Sequence, residues 1–357
     1  MPKKQDRLLR IGVLGAGQIA QAAHFESCTK AANATLYAIC DVADDLRNRM
    51  AAFHAPEKTF SDYDAMLADP EVEAVIIATS DAFHIPAAKK ALEAGKHVLC
   101  EKPLATSVEE AESLRPLIGD RILRVGHMKR FDAGLQAARD FIAGEMGEMV
   151  ALKAWYCDST HRYPMTDAVQ PLVVTSAKAR KPAENPKADL DRYYMLAHGS
   201  HLVDTARYFG GPIRTVQARQ ANRGGMRCWF VDVEFESGAM GHLDLTVAVR
   251  MDWSEGFQIY GANGSVTGKT WNPWYFKSSE VDIFHESEGG IRRTLGADGH
   301  FYRRQVEGFA DAILTGARDG GADLEDGIAS VRAMAAIARS VREGGRAVAL
   351  ADVGGPV

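Results

Sequence analysis

Up to about residue 125, short apolar runs alternate with stretches whose apolar residues recur at helical spacing, the pattern of a parallel sheet covered by helices. Leu8 to Leu14, Thr35 to Cys40, Ala74 to Ala78, His97 to Cys100 and Ile122 to Val125 are rich in Val, Ile or Leu, as strands buried on both faces require. Ile19 to Ala31, Ala43 to Phe53, Phe83 to Ala94 and Val108 to Arg115 carry Ala, Leu and Glu at helical spacing, and Gly95 supplies a C-terminal stop. From about Gly147 the pattern changes to alternation, clearest in Val150 to Trp155 and Arg227 to Phe235. Thr215 to Arg219, Met240 to Val247, Gly256 to Tyr260 and Ser265 to Lys269 continue it, separated by turns such as Glu236-Ser237-Gly238. Alternation of this kind predicts an antiparallel sheet with one face under helices and the other open to another subunit. Phe301 to Thr315 and Leu324 to Glu343 read as closing helices. The predicted fold class is α/β: a doubly wound parallel sheet over residues 1–126, then an α+β domain with a large, mostly antiparallel sheet over 127–357.

Composition narrows the partners. The 357 residues suit two domains, and 46% hydrophobic with 25% charged content excludes disordered, collagen-like and disulfide-scaffold classes. A formal net charge of −5 brings no general affinity for nucleic acid, so a small-molecule partner is expected. Cys28, Cys40, Cys100, Cys157 and Cys228 show neither CxxC spacing nor framework density, which points to reduced thiols in a cytoplasmic protein and away from thiolate-bound metal. Lys3, Lys4, Arg7 and Arg10 before Ile11 to Ala16 imitate a signal peptide, but the apolar stretch is short and Gly-rich. No run of 18 apolar residues occurs, so no membrane span is expected.

That Gly-rich stretch has its own chemistry. Gly15-Ala16-Gly17-Gln18-Ile19-Ala20 directly follows a predicted strand and opens a predicted helix. Gly15 permits a tight turn, Gly17 lets backbone approach a pyrophosphate, and Ala20 allows close helix-to-strand packing, as in a Rossmann dinucleotide site. Asp41 ends the next strand, where a carboxylate accepts hydrogen bonds from an adenosine ribose. Its charge repels a 2′-phosphate, which favours NAD over NADP; the alternative is that Asp41 caps the helix beginning near Ala43. Glu101-Lys102-Pro103 follows His97 to Cys100, so Lys102 lies at the carboxyl end of a strand, where ligands bind in open α/β sheets. There it can exchange a proton with a substrate hydroxyl, although spacing alone favours a solvated surface lysine.

These residues, in this order, resemble the glucose-fructose oxidoreductase, inositol dehydrogenase and MocA-like NAD(P)-dependent oxidoreductases. The resemblance covers nearly the whole chain. It rests on the Gly15 to Ala20 fingerprint, Ala78-Thr79 followed by His84, Glu101-Lys102-Pro103, Gly126-His127-Met128-Lys129-Arg130-Phe131, Gly199-Ser200-His201-Leu202-Val203-Asp204 and Asp326-Gly327. It implies an NAD-dependent oxidoreductase in which Lys102 and His201 flank a sugar or polyol. Gly15, Gly17, Gln18, Ile19, Asp41, Thr79, Ser80, Asp81, His84, Glu101, Lys102 and Arg130 are then expected around the cofactor, and a homodimer or homotetramer is expected.

Two departures stand out. Relatives often read Thr-Pro-Asn where this chain has Thr79-Ser80-Asp81, and many carry an Asp four residues before the catalytic His, where this chain has Ala197. His198 can take part of that role or be a core residue. His198, His201 and Asp204 recur at three-residue intervals, so a two-His-one-carboxylate metal site is also conceivable, but the resemblance makes Asp204 structural and no metal is expected. Between Tyr156 and Tyr194, the residues His161, Arg162, Tyr163, Lys178, Arg180, Lys181, Lys187 and Arg192 form a basic, aromatic-flanked stretch. It reads as a loop over the active site, suited to a sugar ring that carries a negative group, or else as a solvated surface loop. Trp155, His161, Arg162, Tyr163 and His198 join Lys102 and His201 as expected substrate contacts. The leading expectation is a dehydrogenase acting on a secondary alcohol of a sugar or cyclic polyol. An NAD-retaining, redox-neutral glycoside hydrolase and a non-catalytic nucleotide-sensing regulator are the alternatives.

Overall fold

The computed structural model describes residues 6–158, 172–295, 298–317 and 320–357. They divide into two compact units, one within Met1–Met128, Pro171–Ala188 and Tyr302–Ile328, the other within Lys129–Gln170, Asp189–Phe301 and Ala329–Val357.

The first unit is built on six strands, β1 (Leu9–Leu14), β2 (Ala34–Cys40), β3 (Lys58–Phe60), β4 (Ala74–Ile77), β5 (His97–Cys100) and β6 (Leu123–Val125). Their order is β3-β2-β1-β4-β5-β6, and every pair is parallel. Val13, Ile39, Ile76 and Leu99 are fully buried, which explains the continuous apolar runs. The short edge strand β3, Lys-Thr-Phe, has no apolar run to announce it. Between the strands lie α1 (Phe25–Lys30), α2 (Asp44–His54), α3 (Tyr63–Ala68), α4 (His84–Glu93) and α5 (Val108–Glu112). The stretch predicted as one helix from Ile19 to Ala31 is a π-helical turn, Ala20–His24, running into α1.

Two later segments also belong to this unit, where a single cut after residue 126 would assign them to the second. Helix α9 (Phe301–Thr315) inserts Val306, Phe309 and Ala310 into the core formed by Leu9, Ile11, Phe25 and Ile39. Residues 172–188 are tied down by side chains that follow β1, β2 and β4. The Gln21 amide donates to the Val174 carbonyl at 2.9 Å and accepts from the Val174 N–H at 2.9 Å. The Ser176 hydroxyl donates to Asp45, Lys178 pairs with Asp44 at 2.7 Å, and the Arg180 guanidinium lies 4.8 Å from the Phe83 ring centre. Local periodicity carries no trace of such distant partners.

The second unit holds nine strands: β7 (Met149–Asp158), β8 (Ile213–Arg223), β9 (Met226–Phe235), β10 (Met240–Val247), β11 (Ser254–Gly261), β12 (Gly264–Thr270), β13 (Glu280–His285), β14 (Gly290–Arg293) and β15 (Val348–Ala349). In the order β14-β13-β12-β11-β7-β10-β9-β8-β15, every pair is antiparallel except β7 and β10. Helices α6 (Ala133–Gly144), α7 (Leu190–Tyr194) and α8 (Ser200–Gly210) accompany the sheet, and α10 (Leu324–Arg342) runs from the first unit into the second. Phe209 of α8 packs on Phe257 of β11, with ring centres 4.6 Å apart. Ala154, Val231, Leu243 and Ile259 are buried along the strands, while Phe230, Met240, Tyr260 and Phe284 are exposed. Among the described residues no helix is long and apolar enough to cross a membrane.

Because Phe309 is fully buried in the first unit, Phe309→Ala should destabilise that unit by about 3–5 kcal/mol. Urea unfolding followed by circular dichroism measures it, and a loss below about 1 kcal/mol would show that α9 is only loosely docked.

Candidate functional site

The dinucleotide edge of the first unit begins where β1 ends. Gly15 has φ +96°, and a Cβ there would stand 2.8 Å from the Ala78 carbonyl oxygen, so the turn admits only glycine. At Gly17, by contrast, a Cβ would meet nothing within 4 Å. Packing inside the chain therefore does not demand glycine at 17, whereas close approach of a phosphate does. Gln18 is exposed, and Ile19 packs on the core. The Asp41 carboxylate accepts the Ala16 N–H at 2.7 Å and the Ala43 N–H at 2.8 Å. It thus both binds the glycine loop and tethers the start of α2, with lone pairs left for a ribose hydroxyl. These residues fit an NAD dinucleotide.

Across the neighbouring strand ends, Ser80 precedes a 3₁₀ turn, Asp81–Phe83, and Asp81 accepts the Ala82 N–H at 2.9 Å. His84 is buried with Nδ1 2.7 Å from the Pro103 carbonyl and Nε2 3.1 Å from that of Thr79. Its ring therefore clamps the loop after β4 to the loop after β5. Glu101 is buried and accepts from His24 Nε2 at 2.8 Å and from the Lys102 N–H at 3.1 Å. Burial pushes the Glu101 carboxyl up, but the hydrogen bond and charge of His24, with Lys102, hold it below the usual carboxylate range. Tyr302 of α9 lies edge-on to His24 at 6.2 Å. Lys102 is partly exposed on this base, and the Lys102–Pro103 peptide is cis.

In the second unit the centre is Tyr156 on β7. Its ring stacks on His201 (5.8 Å between centres, 4° between planes), and its hydroxyl lies 3.2 Å from His198 Nδ1. The same nitrogen is 3.6 Å from Asp158 Oδ2. Lys129 Nζ lies 4.7 Å from the Tyr156 ring centre and 5.7 Å from that of Trp253, and pairs with the buried Glu255. Burial draws Lys129 down and Glu255 up, while their mutual attraction opposes both shifts. Both histidines sit at the junction of a π-helical turn, Met195–Gly199, with α8; such turns recur at functional sites.

Several expected positions have partners of their own within the chain. Trp155 and Tyr156 alternate across β7, and Trp155 projects over Gly256, where a Cβ would stand 2.5 Å from its ring. Tyr156, and not Trp155, therefore joins the histidines. Arg130 is buried, and its guanidinium grips Asp204 at 2.7 and 3.1 Å. This engages both Arg130 and the third member of the His198, His201, Asp204 series. Within the basic stretch, Lys178 and Arg180 are held in the first unit as described, and Arg192 donates to the Val357 carbonyl at 3.0 Å in the second. His161, Arg162 and Tyr163 lie outside the described residues.

Residues 9–125 match the profile described as "Oxidoreductase family, NAD-binding Rossmann fold", and residues 135–267 match that of the "GFO/IDH/MocA C-terminal domain". An inositol 2-dehydrogenase 2 from Saccharopolyspora erythraea is 31% identical over 276 residues, covering 72% of this chain and 73% of its own. The chain belongs to the Gfo/Idh/MocA oxidoreductase family. An inositol 2-dehydrogenase from Rubrobacter xylanophilus is 25% identical over 356 residues, 94% of this chain and 92% of its own. The fold is shared with levoglucosan dehydrogenase, solved with NADH and L-sorbose, at TM-score 0.77 and 21% identity over 96% of this chain and 99% of that one.

Within this Gfo/Idh/MocA chain, sequence reasoning passed over Asp158, Lys129, Glu255 and His24, which the structure places beside the expected residues. Lys129 had a signal, since it lies inside the family motif at Gly126 to Phe131. Glu255 and Asp158 had none, because their significance comes from neighbours more than 35 residues away, as the 126-residue separation of Lys129 and Glu255 illustrates.

Gly17→Ala should leave the unfolding midpoint unchanged while weakening NAD binding about tenfold or more, read by calorimetric titration; unaltered affinity would mean that no phosphate approaches Gly17. Lys129→Met should cost about 3–5 kcal/mol by leaving Glu255 unpaired, and Lys129→Met with Glu255→Leu should recover most of it. Chemical denaturation of both variants tests this; equal losses in the single and double variants would show that the pair is not coupled.

Proposed function

We propose that this family member is an NAD-dependent dehydrogenase acting on a secondary alcohol of a cyclic polyol or sugar. The observation that carries the reading is the pair of histidines gathered on Tyr156 in the second domain, in a chain whose first domain holds Lys102 at the carboxyl end of β5. The relatives named inositol 2-dehydrogenase support a cyclic polyol. NAD, held at Gly15, Gly17 and Asp41, would supply the hydride acceptor for the carbinol carbon. His201 takes the hydroxyl proton as general base, and Lys102 donates a hydrogen bond to the same oxygen, opposing its developing negative charge. Asp41 favours NAD over NADP, because its carboxylate, anchored at the glycine loop, repels a 2′-phosphate.

The test incubates the protein with NAD and a panel of inositols, neutral and anionic sugars and aryl glycosides, following NADH absorbance and released aglycone together. NADH accumulation with a polyol or sugar is expected. Aglycone release without NADH, or no reaction with any of them, would overturn the reading. Lys102→Ala and His201→Ala should each lower turnover about 100-fold or more while NAD affinity survives, and near-normal turnover in either would remove that residue from the mechanism.

A further inference from the structure

We infer that residues 172–188 form an outer wall of the dinucleotide site, and that Arg180 on this wall supplies positive charge to the NAD pyrophosphate. The inference rests on NAD as the cofactor and not on which alcohol is oxidised. Three pins fix the course of the segment. Val174 lies 153 positions beyond Gln21 in the chain, yet Gln21 Nε2 donates both to the Val174 carbonyl at 2.9 Å and to the Ala16 carbonyl at 2.7 Å, and Gln21 Oε1 accepts the Val174 N–H at 2.9 Å. One amide thus fastens the segment to the glycine loop itself. Ser176 and Lys178 next reach the head of α2, the hydroxyl donating to Asp45 at 2.8 Å and the ammonium pairing with Asp44 at 2.7 Å. Arg180 then lies on the ring of Phe83, 4.8 Å from its centre, in the turn after β4. Val174 and Ala179 pack against the core of the unit, which seats the segment.

Sheet order turns these pins into a path. Strands β2 and β4 flank β1 on opposite sides, so the head of α2 and the turn at Phe83 stand on either side of the glycine loop. The flanking strands are about 10 Å apart, and at most about 7 Å of backbone separates residues 178 and 180, whose long side chains reach outward to the two pins. The backbone between them therefore crosses the carboxyl end of β1, where a Rossmann site holds pyrophosphate. Gly17, Gln18 and Ser80 stay exposed beneath the crossing, and a Cβ at Gly17 would meet nothing within 4 Å, so the segment spans this edge without pressing on it.

Charge suits the crossing to a phosphate. Asp41, Asp44 and Asp45 stand together at the head of α2 and repel a pyrophosphate dianion. Lys178 offsets Asp44, and the Arg47 guanidinium donates to the Asp41 carbonyl at 2.6 Å. Arg180 rests on an uncharged ring, which orients the guanidinium and leaves its charge for an anion. Beside a phosphate, a guanidinium makes charge-assisted hydrogen bonds roughly twice as strong as neutral ones.

The first test is calorimetric titration of the full chain. Arg180→Gln should raise the Kd for NADH about tenfold and leave the Kd for adenosine, which carries no phosphate, unchanged. An unchanged Kd for NADH, or an equal loss for both ligands, would overturn the role of Arg180. The second test reads the wall in the unaltered protein: hydrogen–deuterium exchange of peptides within 172–188 should slow about fivefold or more on saturation with NADH, and unchanged exchange there would overturn the wall. In the third, Val174→Pro removes the N–H that Gln21 holds and should speed NADH dissociation about tenfold in stopped-flow fluorescence; an unchanged rate counts against the wall. Failure of the unaltered protein to bind NADH would remove the cofactor site and the wall together. If NADH binds and the variants behave as expected while no polyol or sugar is oxidised, the dehydrogenase reading fails and the wall stands.

Discussion

A carboxylate withdrawn from water ties the ligand edge of the dinucleotide-binding unit together. Glu101 is buried at the end of β5, and its oxygens accept from His24, in the π-helical turn after β1, and from the Lys102 amide. Tyr302 packs against the histidine from a helix nearly two hundred residues later in the chain, and the backbone at Gly126 passes so close that a Cβ there would lie 3.1 Å from the Glu101 carboxyl. An ionised group in such surroundings is tolerated only when its lone pairs are filled and its charge is opposed. The loop that carries Lys102, the turn behind the glycine motif and the docking of α9 therefore share one electrostatic requirement. Loss of His24 would leave that charge buried without its neutral or protonated partner, which makes the position of Lys102 a property of the whole unit.

The second unit solves the same problem with an aromatic ring at its centre. Tyr156 has its hydroxyl 3.2 Å from His198 Nδ1, one face stacked on His201 and its π-surface against the Lys129 ammonium. The ammonium is in turn opposed by buried Glu255. One strand residue thus touches both histidines, the hydroxyl against one and the ring face against the other. Arg130 grips Asp204 on the helix that carries His201.

Much of this architecture was legible beforehand because its physics is local. Strands covered on both faces must be apolar throughout, so five of the six parallel strands stood out, and β3 did not because an exposed three-residue edge needs no apolar run. Strands covered on one face alternate, so β7 to β12 were recognisable, whereas the short β14, exposed along most of its length, was not. The glycine motif was readable since the demand at Gly15 is a backbone conformation. Trp155 packs over Gly256 while its neighbour Tyr156 meets the histidines, because in a strand one position changes the face.

The sequence by itself determined two layered sheets of different kind, a dinucleotide fingerprint with an acidic residue at the end of the second strand, and a membership in one oxidoreductase family carried by motifs in fixed order. Periodicity, φ preference and spacing all act over a few residues, so they are written where they act. Only the tertiary structure decided that α9 and residues 172–188 complete the first unit, that Arg130 and Asp204 engage each other, and that Tyr156 gathers the histidines with Asp158 beside one of them. Those outcomes depend on charges and rings brought together from distant segments, whose interaction falls off steeply with distance and is strengthened by burial, and neither distance nor burial is defined until the chain has folded.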